Sequence, residues 1–252
     1  MKLPRWSNTS REKYLAAAWS SVGLVRSENQ DSHGIFGSGS EDRLFIVADG
    51  MGGHTRGREA SLLAVESVRE IFYSEPSEDV RSRLLRAFDE TNERIYKLSQ
   101  KYGKGTQMGT TCTTLAVSSD RFYIGHVGDS RAYKISQEGA FQLTTDHTLV
   151  NLLVNSGELS VTEALSDPRR HNLMQAIGIG ISFDPDVFEI TKPDSGEKII
   201  LCSDGLAVLS AEEIAVVSRS RDVQDICETL VEMANERGGP DNTTVLAFEV
   251  IH

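Results

Sequence analysis

Short apolar runs of strand length, separated by turn-forming residues, recur along this chain and confine it to folds rich in antiparallel sheet. LAAAW (Leu15 to Trp19), RLFIVA (Arg43 to Ala48), TCTTLAV (Thr111 to Val117), RFYIGHV (Arg121 to Val127), RAYKI (Arg131 to Ile135), EKIILC (Glu197 to Cys202) and TTVLAFEV (Thr243 to Val250) read as strands. Between them stand FGSGSED, SSD, SQEGA and KPDSG, turn signals at hairpin spacing. Parallel strands need long crossovers, whereas antiparallel neighbours need only such turns.

Helices announce themselves by a different period. Val80, Leu84, Phe88, Thr91, Ile95 and Leu98 recur every three or four residues in a charged segment, as on an amphipathic surface helix. Ala60, Ala64, Val68 and Ile71 predict a second helix, and Val223, Ile226, Leu230 and Met233 a third that stops at Gly238-Gly239. Ser160 with Glu163, and Ser210 with Glu213, are capping boxes opening two shorter helices. The first of these lies in a stretch from His147 to Gly178 with little strand character, which reads as an insertion. The pattern predicts an α+β domain, helices lying on the outer faces of antiparallel sheets, after a polar N-terminal tail over residues 1–13.

Charge narrows the function. With 37 Asp+Glu against 26 Lys+Arg, the net charge of -11 disfavours binding to phosphate backbones or anionic lipid. Cys112, Cys202 and Cys227 form no CxxC pair, so neither a disulfide framework nor a thiolate zinc site is expected. Cys202 is expected to be a buried small hydrophobe. No apolar run has the length of a bilayer span and no signal peptide is evident, which predicts a cytoplasmic protein without membrane or nucleic-acid partners.

The chemistry is suggested by aspartates that end or follow apolar runs beside glycine, FIVADG (Asp49), IGHVGDS (Asp129) and IILCSDG (Asp204), echoed by GGPDN (Asp241). One Asp-Gly pair is ordinary turn chemistry. Repetition at strand ends instead suggests carboxylates that converge, and such a self-repelling oxygen cluster suits Mg²⁺ or Mn²⁺.

These aspartates sit in longer segments, VGLVRSENQD (Val22 to Asp31), FIVADGMGGHTRGREAS (Phe45 to Ser61), MGTTCTTLAV (Met108 to Val117), HVGDSRAY (His126 to Tyr133), LTTDHTLV (Leu143 to Val150), LCSDGL (Leu201 to Leu206) and GGPDNTTV (Gly238 to Val245). Through them the chain resembles the metal-dependent serine/threonine protein phosphatases of type 2C, the PPM family, in their bacterial form, from about Leu15 to Val250. The resemblance implies a four-layer α-β-β-α sandwich, two antiparallel β-sheets flanked by helices, with the metal site in the cleft at one end. It implies a phosphatase domain over residues 14–252, with a flap subdomain at about 147–178. It further implies hydrolysis of phosphoserine and phosphothreonine monoesters by direct attack of a water bridging two tightly bound Mn²⁺ or Mg²⁺ ions. By position, Asp49 would bridge the two ions, Gly50 would bind the second through its carbonyl, and Asp204 and Asp241 would complete the first. Asp129, with Asp204, would hold a weaker third ion, Asp31 would act through water, and Arg26 would hold the phosphate.

Met51 stands where animal relatives have a histidine taken as general acid, and Gln30 replaces a glutamate that holds metal-bound water. Among the histidines, His54 is the nearby proton-donor candidate, His126 and His147 are expected to be structural, and His171 and His252 carry no signal. Arg169 and Arg170 are expected to be solvated or to meet a phosphoprotein. The implied partners are phosphoproteins made by a serine/threonine kinase, and the implied state is a monomer. A catalytically inactive phosphatase-fold binding module is the alternative; its signature would be loss of a metal aspartate, and Asp49, Asp129, Asp204 and Asp241 are all present. A metal-dependent nuclease would want a basic groove, which this charge does not advertise.

Overall fold

The computed structural model describes residues 13–37, 42–53, 56–102, 108–180 and 184–251. In chain order the elements are β1 (Lys13–Ser21), β2 (Asp31–Phe36), β3 (Arg43–Gly52), α1 (Arg56–Ser74), α2 (Val80–Lys101), β4 (Met108–Thr110), β5 (Cys112–Ser118), β6 (Arg121–Val127), β7 (Arg131–Ile135) and β8 (Ala140–Gln142). They continue with α3 (Leu149–Asn155), α4 (Val161–Ser166), β9 (Asp186–Ile190), β10 (Lys198–Cys202), a 3₁₀ turn (Asp204–Val208), α5 (Ala211–Arg219), α6 (Val223–Glu236) and β11 (Thr243–Ile251). One sheet runs β1-β11-β10-β7-β8 and the other β2-β3-β5-β6-β9, with β4 added to the far end of β3. Every pairing is antiparallel.

Strand alternation sorts the side chains into three cores. On β3, Leu44, Ile46 and Ala48 face outward onto Ala60, Ala64 and Val68 of α1 and onto Leu84 and Phe88 of α2. The other sheet turns Ile200, Cys202, Val245 and Ala247 outward onto Ile214 of α5 and Ile226 and Leu230 of α6. Between the sheets lie Phe45, Val47, Leu115, Phe122 and Ile124 from one side and Ile199, Leu201, Leu246 and Phe248 from the other. The expected α-β-β-α sandwich is therefore the observed one, its helices laid on the outer faces of the sheets.

The same period of two aims the acids. Asp49 follows Phe45 and Val47 on the inward face of β3, so its side chain points into the layer between the sheets where the apolar filling ends. Asp31 faces it across the β2–β3 ladder, in direct register. Asp49 is not at the end of its strand, as the apolar run suggests, because β4 pairs Gly50 to Gly52 with Met108 to Thr110 and carries β3 onward. Both predicted capping boxes form, at Ser160 with Glu163 and at Ser210 with Glu213.

Candidate metal centre

At one end of the sandwich the two sheets part around a cleft of about 1040 Å³, whose walls include Arg26, Asp49, Gly50, Asp129, Asp204 and Asp241. Asp49 and Gly50 come from β3, and the others each from a different connection. Asp204 opens the 3₁₀ turn after β10, Asp241 lies in the loop before β11, and Asp129 lies in the turn from β6 to β7. Asp31 is one layer behind, buried, with its Oδ2 accepting the hydroxyls of Ser203 and Thr244, each at 2.7 Å.

Backbone approach explains the glycine after Asp49. A Cβ on Gly50 would stand 2.0 Å from the Gly57 carbonyl oxygen and 2.7 Å from that of Gln30, so only glycine lets the first turn of α1 close against β3 here. Asp49 is then fixed through Thr111, whose hydroxyl accepts the Asp49 N–H at 2.9 Å and pairs with the Ser130 hydroxyl at 2.7 Å. One residue thus ties Asp49 to the turn that carries Asp129.

Gathering these acids is costly. Burial first, and then the charges of Asp31, Asp204, Asp129 and Asp241, hold the Asp49 carboxyl well above the ordinary carboxylate range. Burial likewise pushes Asp31 up to about 7, against the pull of its two hydroxyl partners, with Asp204 and Asp241 adding to the rise. Asp129 is pushed up to about 7 by burial and then by Asp204 and Asp146. Like charges facing across a ladder are destabilising in their own right.

Among the described residues, Arg26 and His171 contact these acids directly. Arg26 donates from Nη2 to Asp241 Oδ2 at 2.7 Å. His171 brings Nδ1 within 3.7 Å of Asp204 Oδ2, and its contact with Asp204 raises its affinity for a proton. Nothing in the sequence singled out His171; it lies in the 147–178 segment and meets Asp204 only through the fold. Asn242 was also missed. Its Nδ2 donates to the carbonyls of Val22 and Glu28 and its Oδ1 accepts the Gln30 N–H, so it anchors the loop bearing Arg26 beside Asp241.

The donor set fits a hard divalent cation. Asp31 Oδ1 and Asp204 Oδ1 are buried without a hydrogen-bond partner, and a buried, unpaired carboxylate oxygen is expensive unless a cation or proton meets it. Among the described residues no three His, Cys, Asp or Glu side chains already stand in a metal-holding arrangement, so the carboxylates share a cleft without being drawn to one point. Backbone carbonyl and water oxygens, which Mg²⁺ and Mn²⁺ accept readily, belong to such a site.

The other sequence candidates fall as follows. Met51 lines the cleft, and so does Arg170. Arg169 instead grips Asp167 through two of its nitrogens. His54 lies outside the described residues, as does His252. His126 is fully buried between the Thr113 hydroxyl and the Thr145 carbonyl, its proton affinity pushed down to about 4 by burial and then by His147. Burial pushes the Cys202 thiol up to about 12, as suits a small core hydrophobe.

Fold and cleft together have clear relatives. The protein phosphatase 2C family matches residues 25–246, and the chain belongs to that family. The serine/threonine phosphatase stp of Listeria innocua is 33% identical over 233 residues, covering 90% of this chain and 92% of that one. The crystal structure of the Mycobacterium tuberculosis serine/threonine phosphatase PstP/Ppp, at 34% identity, superimposes with a TM-score of 0.85 over 95% of this chain and 99% of that chain. A structure of the PstP catalytic domain in complex with two manganese ions matches at 33% identity with a TM-score of 0.83, covering 96% of this chain and 100% of that chain.

Proposed function

We propose that this cleft removes phosphate from phosphoserine and phosphothreonine in proteins, with divalent cations held by Asp49, the Gly50 carbonyl, Asp204 and Asp241. The observation that carries the reading is the convergence of these acids with Arg26 on one cleft of an antiparallel sandwich. Asp49 would serve two ions, Gly50 the second, and Asp204 and Asp241 the first; Asp129 with Asp204 would hold a weaker third, and Asp31 would act through water. Manganese in the similar PstP domain supports Mn²⁺, and Mg²⁺ takes the same oxygen donors. When bound, such ions activate a water for direct attack and offset charge on phosphorus, so no covalent enzyme intermediate is needed.

The chain's own residues do the rest. Asp49, fixed by Thr111, and Asp204, at the start of its 3₁₀ turn, would hold the ions from anchored backbone. Arg26 can offer two parallel N–H groups to a phosphate monoester. Its pair with Asp241 is half-exposed, with the side chains 56% and 33% accessible. Such pairs are worth about 0–1 kcal/mol, so the guanidinium leaves Asp241 for phosphate at little cost. Met51 has no exchangeable proton, so position 51 supplies no acid.

Arg26→Ala is expected to raise KM for a phosphopeptide about tenfold with a smaller change in kcat, because a ground-state contact is mostly uniform binding. Manganese affinity, measured by calorimetry, should shift by less than about threefold, the scale of an exposed ion pair. An unchanged KM would remove Arg26 from the site.

Residues 147–178 act in this reading as a flap beside the cleft, within a phosphatase domain whose first strand opens at Lys13, one residue before the boundary expected at 14. We take the protein as a cytoplasmic monomer acting on the products of a serine/threonine kinase. Three buried free cysteines suit a reducing compartment, and the charge of -11 disfavours nucleic acid. No helix among the described residues is long and apolar enough to cross a membrane. Turnover of a phosphothreonine peptide, with a nucleic acid left uncut, is the expected result; cleavage of the nucleic acid alone would overturn the reading.

A further inference from the structure

The turn that carries Asp129 has an unusual supply problem. It joins β6, in one sheet, to β7, in the other, so no ladder fixes its backbone. Ser130, on its far side, is held by the Thr111 hydroxyl at 2.7 Å and by Thr113 Oγ1, which donates to the Ser130 carbonyl at 3.1 Å. Gly128, on its near side, has φ +107°, and a Cβ there would meet Thr111 Cγ2 at 2.5 Å. The chain is thus pressed against Thr111 in a conformation that glycine alone adopts freely.

Both backbone groups of Gly128 are taken by one residue. The His147 N–H donates to the Gly128 carbonyl at 2.7 Å, and the Gly128 N–H donates to His147 Nδ1 at 3.3 Å. Because Nδ1 accepts, the ring proton sits on Nε2, which points at Asp186 Oδ2 at 3.1 Å. The ring also lies against His126, with centroids 4.8 Å apart. The His147 carbonyl accepts the Met174 N–H at 2.8 Å, where the 147–178 segment returns to the body of the protein.

We propose that His147 is a positioning residue for the Asp129 carboxylate: it clamps Gly128 from one side as Thr111 and Thr113 clamp Ser130 from the other, and it joins that turn to the base of the 147–178 segment. This rests on the reading of Asp129 as a metal ligand. The side chain touches neither substrate nor Asp129 itself. Its effect passes through Gly128.

Two near-isosteric variants separate the roles of the two ring nitrogens. Asn places an amide oxygen near the Nδ1 position and can still accept from Gly128, whereas Gln reaches the Nε2 position and can serve only Asp186. In the full chain titrated with Mn²⁺, His147→Gln is expected to weaken the weakest calorimetric site and lower kcat for p-nitrophenyl phosphate about tenfold each, with KM little changed, as for lost outer-shell partners of a metal site. Exchange of the Gly128 amide with deuterium should speed up in the same variant. His147→Asn should restore all three toward wild type. Equal effects of Gln and Asn, or a Gln variant with wild-type Mn²⁺ binding and Gly128 exchange, would overturn the proposal.

Should His147→Gln fail to fold, Asp186→Ala decides, since Asp186 is half-exposed at 47% and its loss frees the ring without emptying the core. It should weaken the same Mn²⁺ site about threefold, a fraction of the effect of removing the clamp itself; no change would count against the clamp. Asp129→Asn distinguishes the two layers of the argument. If that variant keeps the weak site, the assignment of Asp129 is wrong; if it loses the site and His147→Gln does not, only the positioning role is.

Discussion

Asp49→Asn is expected to lower kcat on a phosphothreonine peptide by about a thousandfold or more, a loss of roughly 4 kcal/mol of transition-state stabilisation. The same substitution should raise the melting temperature of the metal-free protein. These opposite signs come from one cause. The half-buried carboxylate is surrounded by Asp31, Asp129, Asp204 and Asp241, so in the absence of a cation its charge works against the fold. Asparagine keeps the shape and removes the charge, while the Thr111 bond to the Asp49 backbone is untouched. Kinetics with excess Mn²⁺ and melting curves with chelator check both halves; a variant that is inactive because it is unfolded would show a lowered melting temperature instead.

The metal-free protein should also become less stable as pH rises from about 4 to about 7. Asp31 and Asp129 take up protons near pH 7 in the fold but near pH 4 in an unfolded chain. Across that window the folded state holds more protons, so deprotonation favours unfolding, by about 1.4 kcal/mol per pH unit for each fully shifted group. Above pH 7 these groups contribute no further slope. Saturating Mn²⁺ should flatten or reverse the trend, because a cation that binds only the folded carboxylates adds its binding energy to stability. Melting curves at pH 5, 6 and 7, with chelator and with Mn²⁺, give the comparison; metal-free stability that rises through this range would contradict the electrostatics of the cleft.

Much of this architecture is legible in the sequence because it is carried by local signals. Continuous apolar runs such as RLFIVA and TTVLAFEV mark strands buried on both faces, and the two capping boxes mark helix starts without reference to anything distant. Other elements owe their state to partners. β2 (DSHGIF) has glycine and a polar start, and is a strand because its whole length pairs with β3. β4 is a three-residue strand that exists through its ladder to Gly50–Gly52. The short β8 and β9 were missed for the same reason, each lying at a sheet edge.

The candidate site divides along the same line. Asp49, Asp129 and Asp204 are visible as Asp beside Gly in or after apolar runs, with GGPDN (Asp241) as an echo, since each lies on a strand or connection that borders the cleft. The supporting groups are not. Thr111, Ser203 and Thr244 carry no signal by composition: Ser203 and Thr244 reach Asp31 only when the two sheets meet, and Thr111 reaches Asp49 only once β4 and β5 pair with β3. His171 and Asn242 act across long sequence separations, on Asp204 and on the Arg26 loop. The contact between Arg26 and Asp241 spans 215 positions, and no local pattern predicts it.

The central claim is that hydrolysis in this cleft depends on cations held by its aspartates. The most direct measurement follows phosphate release from a phosphothreonine peptide by the wild-type chain after exhaustive chelation, and again after Mn²⁺ or Mg²⁺ is returned. The account predicts no measurable turnover without metal and recovery on addition of either ion, while Asp49→Asn stays inactive throughout. Full turnover by the chelated protein would contradict it.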